Sequence, residues 1–201
     1  DSTHAIARGA GVPEDQLTSV EPGERYEFGG FGVTMLPSSH APVGWSGSVP
    51  YAGTIDAPLV MPQAVASMRE GGSYTIVIDH AEGTAVVQGS AGFPDGALGD
   101  ISADVVFLSV GGLETLGQQY VEQYWQAMVT ATGAHTVYPI HFDDFTRPFG
   151  DIVAAPRFLG DLDVTVEWFD ALRDRWDTDV KLTLPAFGRP VAIYAETSSA
   201  T

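Results

Sequence analysis

The stretch Thr136–Pro148, TVYPIHFDDFTRP, carries the clearest signal of both fold and chemistry in the chain. Its β-branched and aromatic beginning, up to Ile140, is typical of a short buried strand. His141 follows this strand directly, and Asp143 and Asp144 come two and three residues later. In α/β folds, the side chains at such strand ends face the crevice in which ligands bind. The stretch therefore predicts either a metal-binding histidine supported by carboxylates or a capped surface loop.

The residues before this stretch predict a parallel strand pair. Asp104–Val110 is nearly continuously apolar, as expected for a strand that is buried on both faces of a sheet. Between the two strands, apolar residues recur at helical spacing from Glu114 to Thr132, and Gly133 follows as a stop signal. A strand–helix–strand sequence of this kind forms a parallel pair with a right-handed crossover. Residues 104–141 therefore predict a βαβ unit and an α/β fold class.

Alternating apolar residues and turn signals predict the remaining elements. Two hairpins, a short first helix, a second helix and a closing hairpin are expected. The hairpins are Arg25–Phe28 with Phe31–Leu36, Ser73–Asp79 with Thr84–Gln88, and Lys181–Leu184 with Pro190–Tyr194, and the helices are Asp1–Gly11 and Asp163–Trp176.

Length and composition favour one globular domain. The 201 residues, 44% of them hydrophobic, are enough to bury a sizeable core. We assign residues 1–195 to a single domain and residues 196–201 to a tail. No apolar run approaches the roughly 20 residues that a membrane-spanning helix needs.

The charge of the chain limits its partners. Asp and Glu number 26 against 9 Lys and Arg, which gives a net charge of −17. Such a surface repels phosphate backbones, so nucleic acid and anionic membranes are excluded as general partners. Because the chain has no cysteine, a bound metal requires histidine or carboxylate ligands.

Three loops, each placed after a predicted strand, carry the candidate site residues. The first is Ser38-Ser39-His40, the second is Gly89-Ser90-Ala91-Gly92-Phe93, and the third is His141-Phe142-Asp143-Asp144. His40 repeats the arrangement of His141, since a loop histidine follows a strand in both cases. On these residues alone, a metal ligand and an ordinary loop histidine are equally compatible with His40.

The order and spacing of the three loops resemble the C-terminal half of the metallo-β-lactamase superfamily. In particular, the sequence resembles a group of bacterial metallo-hydrolases with a Gly-Ser-Ala loop and an H-x-D-D-F loop. The likeness extends over residues 1–195. It implies an αβ/βα sandwich of four layers that is represented here mainly by its second half.

This resemblance implies a metal-dependent hydrolase. His40 would be the third histidine of a tri-histidine site, and His141 would be the histidine of a second site. One or two Zn ions are expected, with Mn or Fe as alternatives. In such a hydrolase, metal-bound hydroxide attacks a small-molecule ester, lactam or phosphoester. Asp143 or Asp144 would orient His141 through its other ring nitrogen or cap the loop.

Two departures from the family pattern change this expectation. The chain has no H-x-H-x-D-H motif, and Ser90 occupies the position of the aspartate that bridges two metals. The resemblance therefore implies that the first half of the sandwich comes from an upstream segment, another chain or a homo-oligomer. The alternatives are a binding or assembly module that has lost its metal centre, and an α/β domain whose loop histidines have no shared role.

Overall fold

One mixed sheet of seven strands forms the centre of the structure, and the strands follow one another across it in chain order. The computed structural model describes residues 2–42, 47–49, 51–93, 96, 98–176, 179–184 and 187–194. The tail assigned to residues 196–201 lies outside them. The strands are β1 (Arg25–Phe28), β2 (Phe31–Pro37), β3 (Tyr74–His80), β4 (Gly83–Gln88), β5 (Val105–Ser109), β6 (Thr136–Ile140) and β7 (Lys181–Leu182).

The directions of the strands place the predicted loops at one edge of the sheet. β1 to β4 pair in antiparallel fashion, and β4 to β7 pair in parallel. The first two predicted hairpins and the parallel β5–β6 pair are thus confirmed. Because β2 runs in the same direction as β4, the C-terminal ends of β2, β4, β5 and β6 all lie at the same edge.

Among the described residues, three α-helices accompany the sheet: α1 (Ser2–Gly9), α2 (Gln118–Trp125) and α3 (Leu162–Arg175). The predicted first and second helices are confirmed as α1 and α3. No helix within the described ranges is long and apolar enough to cross a membrane.

The continuous helix predicted from Glu114 to Thr132 is wrong. Leu113–Leu116 forms a 3-10 turn, and α2 begins only after Gly117, whose φ of 87° and ψ of 155° lie outside the helical region. This conformation suits glycine and interrupts the helix. After α2, Gln126–Thr130 continues as a π-helix. The predicted stop is correct, since Gly133 has a φ of 68°.

The closing hairpin predicted from Lys181–Leu184 and Pro190–Tyr194 is also wrong. β7 pairs in parallel with β6, and residues 190–194 form no strand. Pro190 has no N–H to contribute to a strand ladder. The side chains of Ile193 and Tyr194 instead pack against a small cluster on the sheet, which contains Ala85 and Val105.

The two faces of the sheet differ in burial. On the face covered by α2 and α3, a central row crosses four strands, and no member is more than 5% exposed: Val77, Val86, Val106 and Val137. The rings of Trp125 in α2 and Phe169 in α3 pack above this face in a tilted arrangement, with centroids 4.8 Å apart. Connections between parallel strands are right-handed as a rule, which accounts for two helices on the same side.

The opposite face is covered less completely. Its central row is Met35, Ile76, Val87, Phe107 and Tyr138, and all but Tyr138 are half-buried. The α/β prediction is confirmed by this mixed sheet, which has α2 and α3 on one face. A second sheet, which would complete a four-layer sandwich, does not occur among the described residues.

We expect this half-covered apolar face to cause association, because burying it removes hydrocarbon from water. In sedimentation velocity, the protein should show a mass above the 21.3 kDa of one chain, increasing with protein concentration. Phe31→Ser should weaken the association, since Phe31 lies on the same face and is 48% exposed.

Val65→Ser is the matched control for this experiment. Val65 is 69% exposed and belongs to a 3-10 turn outside the sheet. It should leave the sedimentation behaviour unchanged. A monomer at every concentration would show that this face does not act as a contact surface.

Candidate functional site

The three predicted loops meet around one cavity at the sheet edge. The cavity has a volume of about 210 Å³ and is lined by His40, Ser90 and His141, together with Ser109 and Gly111. We call it the histidine cavity. Its members come from the ends of β2, β4, β5 and β6, so the strand directions bring together residues that are far apart in the sequence.

The ring of His40 is held in one tautomer. Its Nδ1 lies 2.8 Å from the carbonyl oxygen of Ala41, and because a carbonyl only accepts, Nδ1 must carry the proton. Nε2 then keeps its lone pair and can accept a hydrogen bond or bind a cation. His40 is half-buried, and its ring lines the cavity.

Ser90 connects the His40 loop to the loop that follows β4. Its Oγ accepts a hydrogen bond of 2.9 Å from the backbone N–H of Ala41. The hydroxyl thus stabilises the backbone beside His40. A serine in this position is also a poor replacement for a bridging carboxylate, because a neutral hydroxyl binds divalent cations weakly.

Gln88, at the end of β4, makes hydrogen bonds to both the His40 loop and the loop that contains Ser90. It is fully buried, and its Oε1 accepts a hydrogen bond of 2.5 Å from the hydroxyl of Thr75. Its Nε2 donates to the carbonyl oxygens of Ser90 at 2.6 Å and Gly92 at 2.5 Å, and the hydroxyl of Ser38 lies 3.2 Å away. One amide therefore joins β3, the His40 loop and the Ser90 loop.

Two tyrosines of α2 support the same edge. The hydroxyl of Tyr120 donates to the carbonyl of Ala91 at 2.8 Å, and that of Tyr124 donates to the carbonyl of Ser109 at 3.2 Å. Burial raises the pKa of Tyr120 and raises that of Tyr124 well above the usual value. Both hydroxyls therefore stay protonated and keep donating at neutral pH.

His141 lies on the opposite side of the cavity in an uncommon backbone conformation. Its φ is 59°, in the left-handed region that non-glycine residues rarely adopt and that occurs more often at functional sites. The ring lies close to Gly111, where an added Cβ would be only 2.5 Å from Nδ1 of His141. The glycine after β5 thus makes room for the imidazole after β6.

The two aspartates after His141 differ in their contacts. Asp144 accepts hydrogen bonds from the backbone N–H of Thr146 at 3.0 Å and from its hydroxyl at 2.6 Å. These bonds cap the turn and lower the pKa of Asp144. Asp143 lines a neighbouring apolar cavity that also includes His141. In the described part of the chain, neither carboxylate is hydrogen-bonded to the ring of His141.

These residues do not form a complete metal site. A catalytic zinc normally has three protein ligands, and the described residues contain no group of three His, Cys, Asp or Glu side chains able to hold a metal. The cavity provides the imidazoles of His40 and His141, while Ser90 is engaged with the backbone. Further ligands would have to come from outside the described residues.

The sequence did not single out Gln88 or Tyr120, although both position the loops. The available signal for Gln88 was a polar side chain at the end of an apolar strand, GTAVVQ, just before the glycine-containing loop. Tyr120 belongs to the aromatic side of α2 and was predicted only as part of the core.

No protein-family model and no curated protein matches the sequence. Three solved bacterial structures are similar in fold. A protein assigned by inference as a metal-dependent hydrolase from Parabacteroides distasonis is 13% identical with a TM-score of 0.46, and the match covers 85% of this chain and 58% of that one. The metallo-β-lactamase fold protein YhfI from Bacillus subtilis is 12% identical with a TM-score of 0.44, and the match covers 84% of this chain and 52% of that one.

The third structure is an isothiocyanate hydrolase from gut bacteria of Delia radicum. It is 12% identical with a TM-score of 0.47, and the match covers 89% of this chain and 60% of that one. The chain thus spans between 52% and 60% of the length of these structures. At such low identity, the chemistry has to be argued from the residues of this chain.

Gly92→Ala should disturb the His40 loop, because the new Cβ would lie 2.2 Å from the carbonyl oxygen of Ser39 and 2.6 Å from that of His40. Backbone atoms cannot move aside cheaply, so we expect a loss of about 1–3 kcal/mol in the free energy of unfolding. We also expect altered ¹⁵N chemical shifts of the His40 ring. Denaturant unfolding and NMR measure the two effects.

Gly89→Ala is the control within the same loop, because an added Cβ meets no atom within 4 Å there. It should leave both quantities nearly unchanged. Equal effects of the two substitutions would contradict the tight contact between the loops.

Proposed function

We propose that this chain forms one part of a metal-dependent hydrolase, with His40 and His141 supplying two of its metal-binding imidazoles. The observation that carries the proposal is their position around the same cavity of about 210 Å³. The tautomer of His40, which leaves Nε2 free, further supports a ligand role. Neutral imidazoles favour Zn, and Mn or Fe are the alternatives.

The remaining ligands in this proposal come from an upstream segment, a second chain or a second copy of this one. Two histidines are too few for a catalytic zinc, so no catalytic step follows from this chain alone. The hydrogen bond between Ser90 and Ala41 opposes a bridging role for Ser90 and therefore favours one metal over two. The substrate in this proposal is a small molecule with an ester, lactam or phosphoester group that reaches the histidine cavity.

A binding or assembly module is the second candidate. It is favoured by the loop hydrogen bonds of Ser90 and Asp144, which give both side chains a structural role in the loops. The half-covered face of the sheet would then be the contact surface. This module would bind its partner without a metal.

Zinc titration of the tag-free protein separates the two candidates. The hydrolase proposal predicts a zinc affinity in isothermal titration calorimetry that falls at least about tenfold in His40→Ala and in His141→Ala, because each removes one of few ligands. His135→Ala, which alters an exposed histidine outside the cavity, should bind zinc as the unmodified protein does.

Zinc binding that is equal in all four proteins would move the metal site away from the cavity. The absence of zinc binding, even with the completing segment or chain present, would favour the binding module.

A further inference from the structure

A second, more open cavity adjoins the histidine cavity. It has a volume of about 480 Å³, and its lining includes Tyr51, Arg69, Glu70 and Tyr74 as well as His40 and Ser90. We call it the arginine cavity. The two cavities share His40 and Ser90, so they lie next to each other at the same edge of the sheet.

The wall that carries Arg69 is tied together by backbone hydrogen bonds. The N–H of Glu70 donates to the carbonyl of Tyr51 at 2.9 Å, and the N–H of Gly71 donates to that of Gly53 at the same distance. Nη1 of Arg69 donates to the carbonyls of Ala66 at 2.8 Å and Met68 at 2.7 Å. One side of the guanidinium is therefore fixed to its own loop.

The charge of Arg69 is not neutralised by an acidic side chain. Within the described ranges, most cationic side chains form ion pairs, whereas Arg69, Lys181 and Arg189 form none. The paired residues are Arg8, Arg25, Arg147, Arg157, Arg173 and Arg175. Arg69 is exposed and borders the arginine cavity, so its positive charge is available to a ligand there.

Among the residues that the structure describes, the carboxylate of Glu70, the next residue in the chain, forms hydrogen bonds with its own loop and no ion pair with Arg69. Glu70 accepts hydrogen bonds from the N–H of Gly72 at 2.8 Å and from the hydroxyl of Ser73 at 2.5 Å. These bonds occupy both of its oxygens with its own loop. Nε and Nη2 of Arg69 make no hydrogen bond to any described residue, and together they can donate to two oxygens of one carboxylate or phosphate.

We propose that Arg69 binds an anionic group, a carboxylate or a phosphate, on the small molecule that reaches the histidine cavity. The position of the rest of that molecule depends on the hydrolase function proposed above, whereas the binding of the anion requires no metal. Arg69 is then a specificity-determining residue. The net negative charge of the protein has little effect on an anion at Arg69. At physiological salt the screening length is about 8 Å, so acidic side chains farther away than this are largely screened.

NMR titration of the metal-free protein tests the proposal. Inorganic phosphate and acetate are added separately while the Nε–Hε signal of Arg69 and the backbone amide signals of Glu70 and Gly71, which the variants keep, are followed. We expect at least one anion to shift these signals in a saturable manner. Arg69→Gln should weaken that anion's binding by about tenfold or more, because a charge-assisted hydrogen bond is lost.

Arg147→Gln is the matched control, since Arg147 is paired with Asp151 away from the arginine cavity. It should bind the anion as the unmodified protein does. The anion that binds, phosphate or acetate, identifies the class of substrate. If neither anion shifts the Arg69 signal, or if Arg69→Gln binds as tightly as the unmodified protein, the proposal is overturned.

The failure of this proposal can be distinguished from the failure of the hydrolase function. Zinc affinity should be the same in Arg69→Gln and in the unmodified protein. Zinc binding by the unmodified protein without any anion binding overturns only the role of Arg69. Anion binding without zinc binding overturns the hydrolase assignment and leaves the anion site in place.

Discussion

The hydrogen bonds of the buried Gln88 amide are the interaction on which the candidate site depends. A buried amide that lacks partners costs roughly 1–3 kcal/mol, so the fold must surround Gln88 with matching groups. The structure provides the hydroxyl of Thr75 and the carbonyls of Ser90 and Gly92. Because the Gln88 amide donates to two carbonyls of the loop after β4, the same hydrogen bonds fix the path of that loop.

The fixed loop determines the position of His40. The hydroxyl of Ser90 accepts a hydrogen bond from the backbone N–H of Ala41, next to His40. Gly92 lies against the backbone of His40, where a side chain would have no room. Tyr120 holds the same loop from the helix side. The histidine is therefore positioned by backbone contacts to a neighbouring loop and not by its own strand alone.

The sequence predicted the elements that depend on local patterns. The apolar strands β5 and β6, the two early hairpins and the loops that follow the strands all have strong periodicity or turn signals. The break at Gly117 was missed because one glycine within a long apolar pattern weakens a helix prediction without excluding it. Pairing of β7 with β6 is a long-range contact, so the local alternation of residues 181–194 suggested a hairpin instead.

The candidate site was predicted in outline only. The strand-end positions of His40, Ser90 and His141 follow from the sequence, whereas their common cavity depends on the direction and order of all the strands. The roles of Gln88 and Arg69 depend on contacts between distant segments. No spacing of residues in the chain reveals them.

The most direct test of this account is the substitution Gln88→Met, which keeps the length of the side chain and removes its hydrogen bonds. Gln119→Met, on the exposed side of α2, is the control. We predict that Gln88→Met lowers the free energy of unfolding by about 1–3 kcal/mol and weakens zinc binding under conditions where the protein remains folded. Unchanged stability and zinc affinity in Gln88→Met would contradict the claim that this amide organises the site.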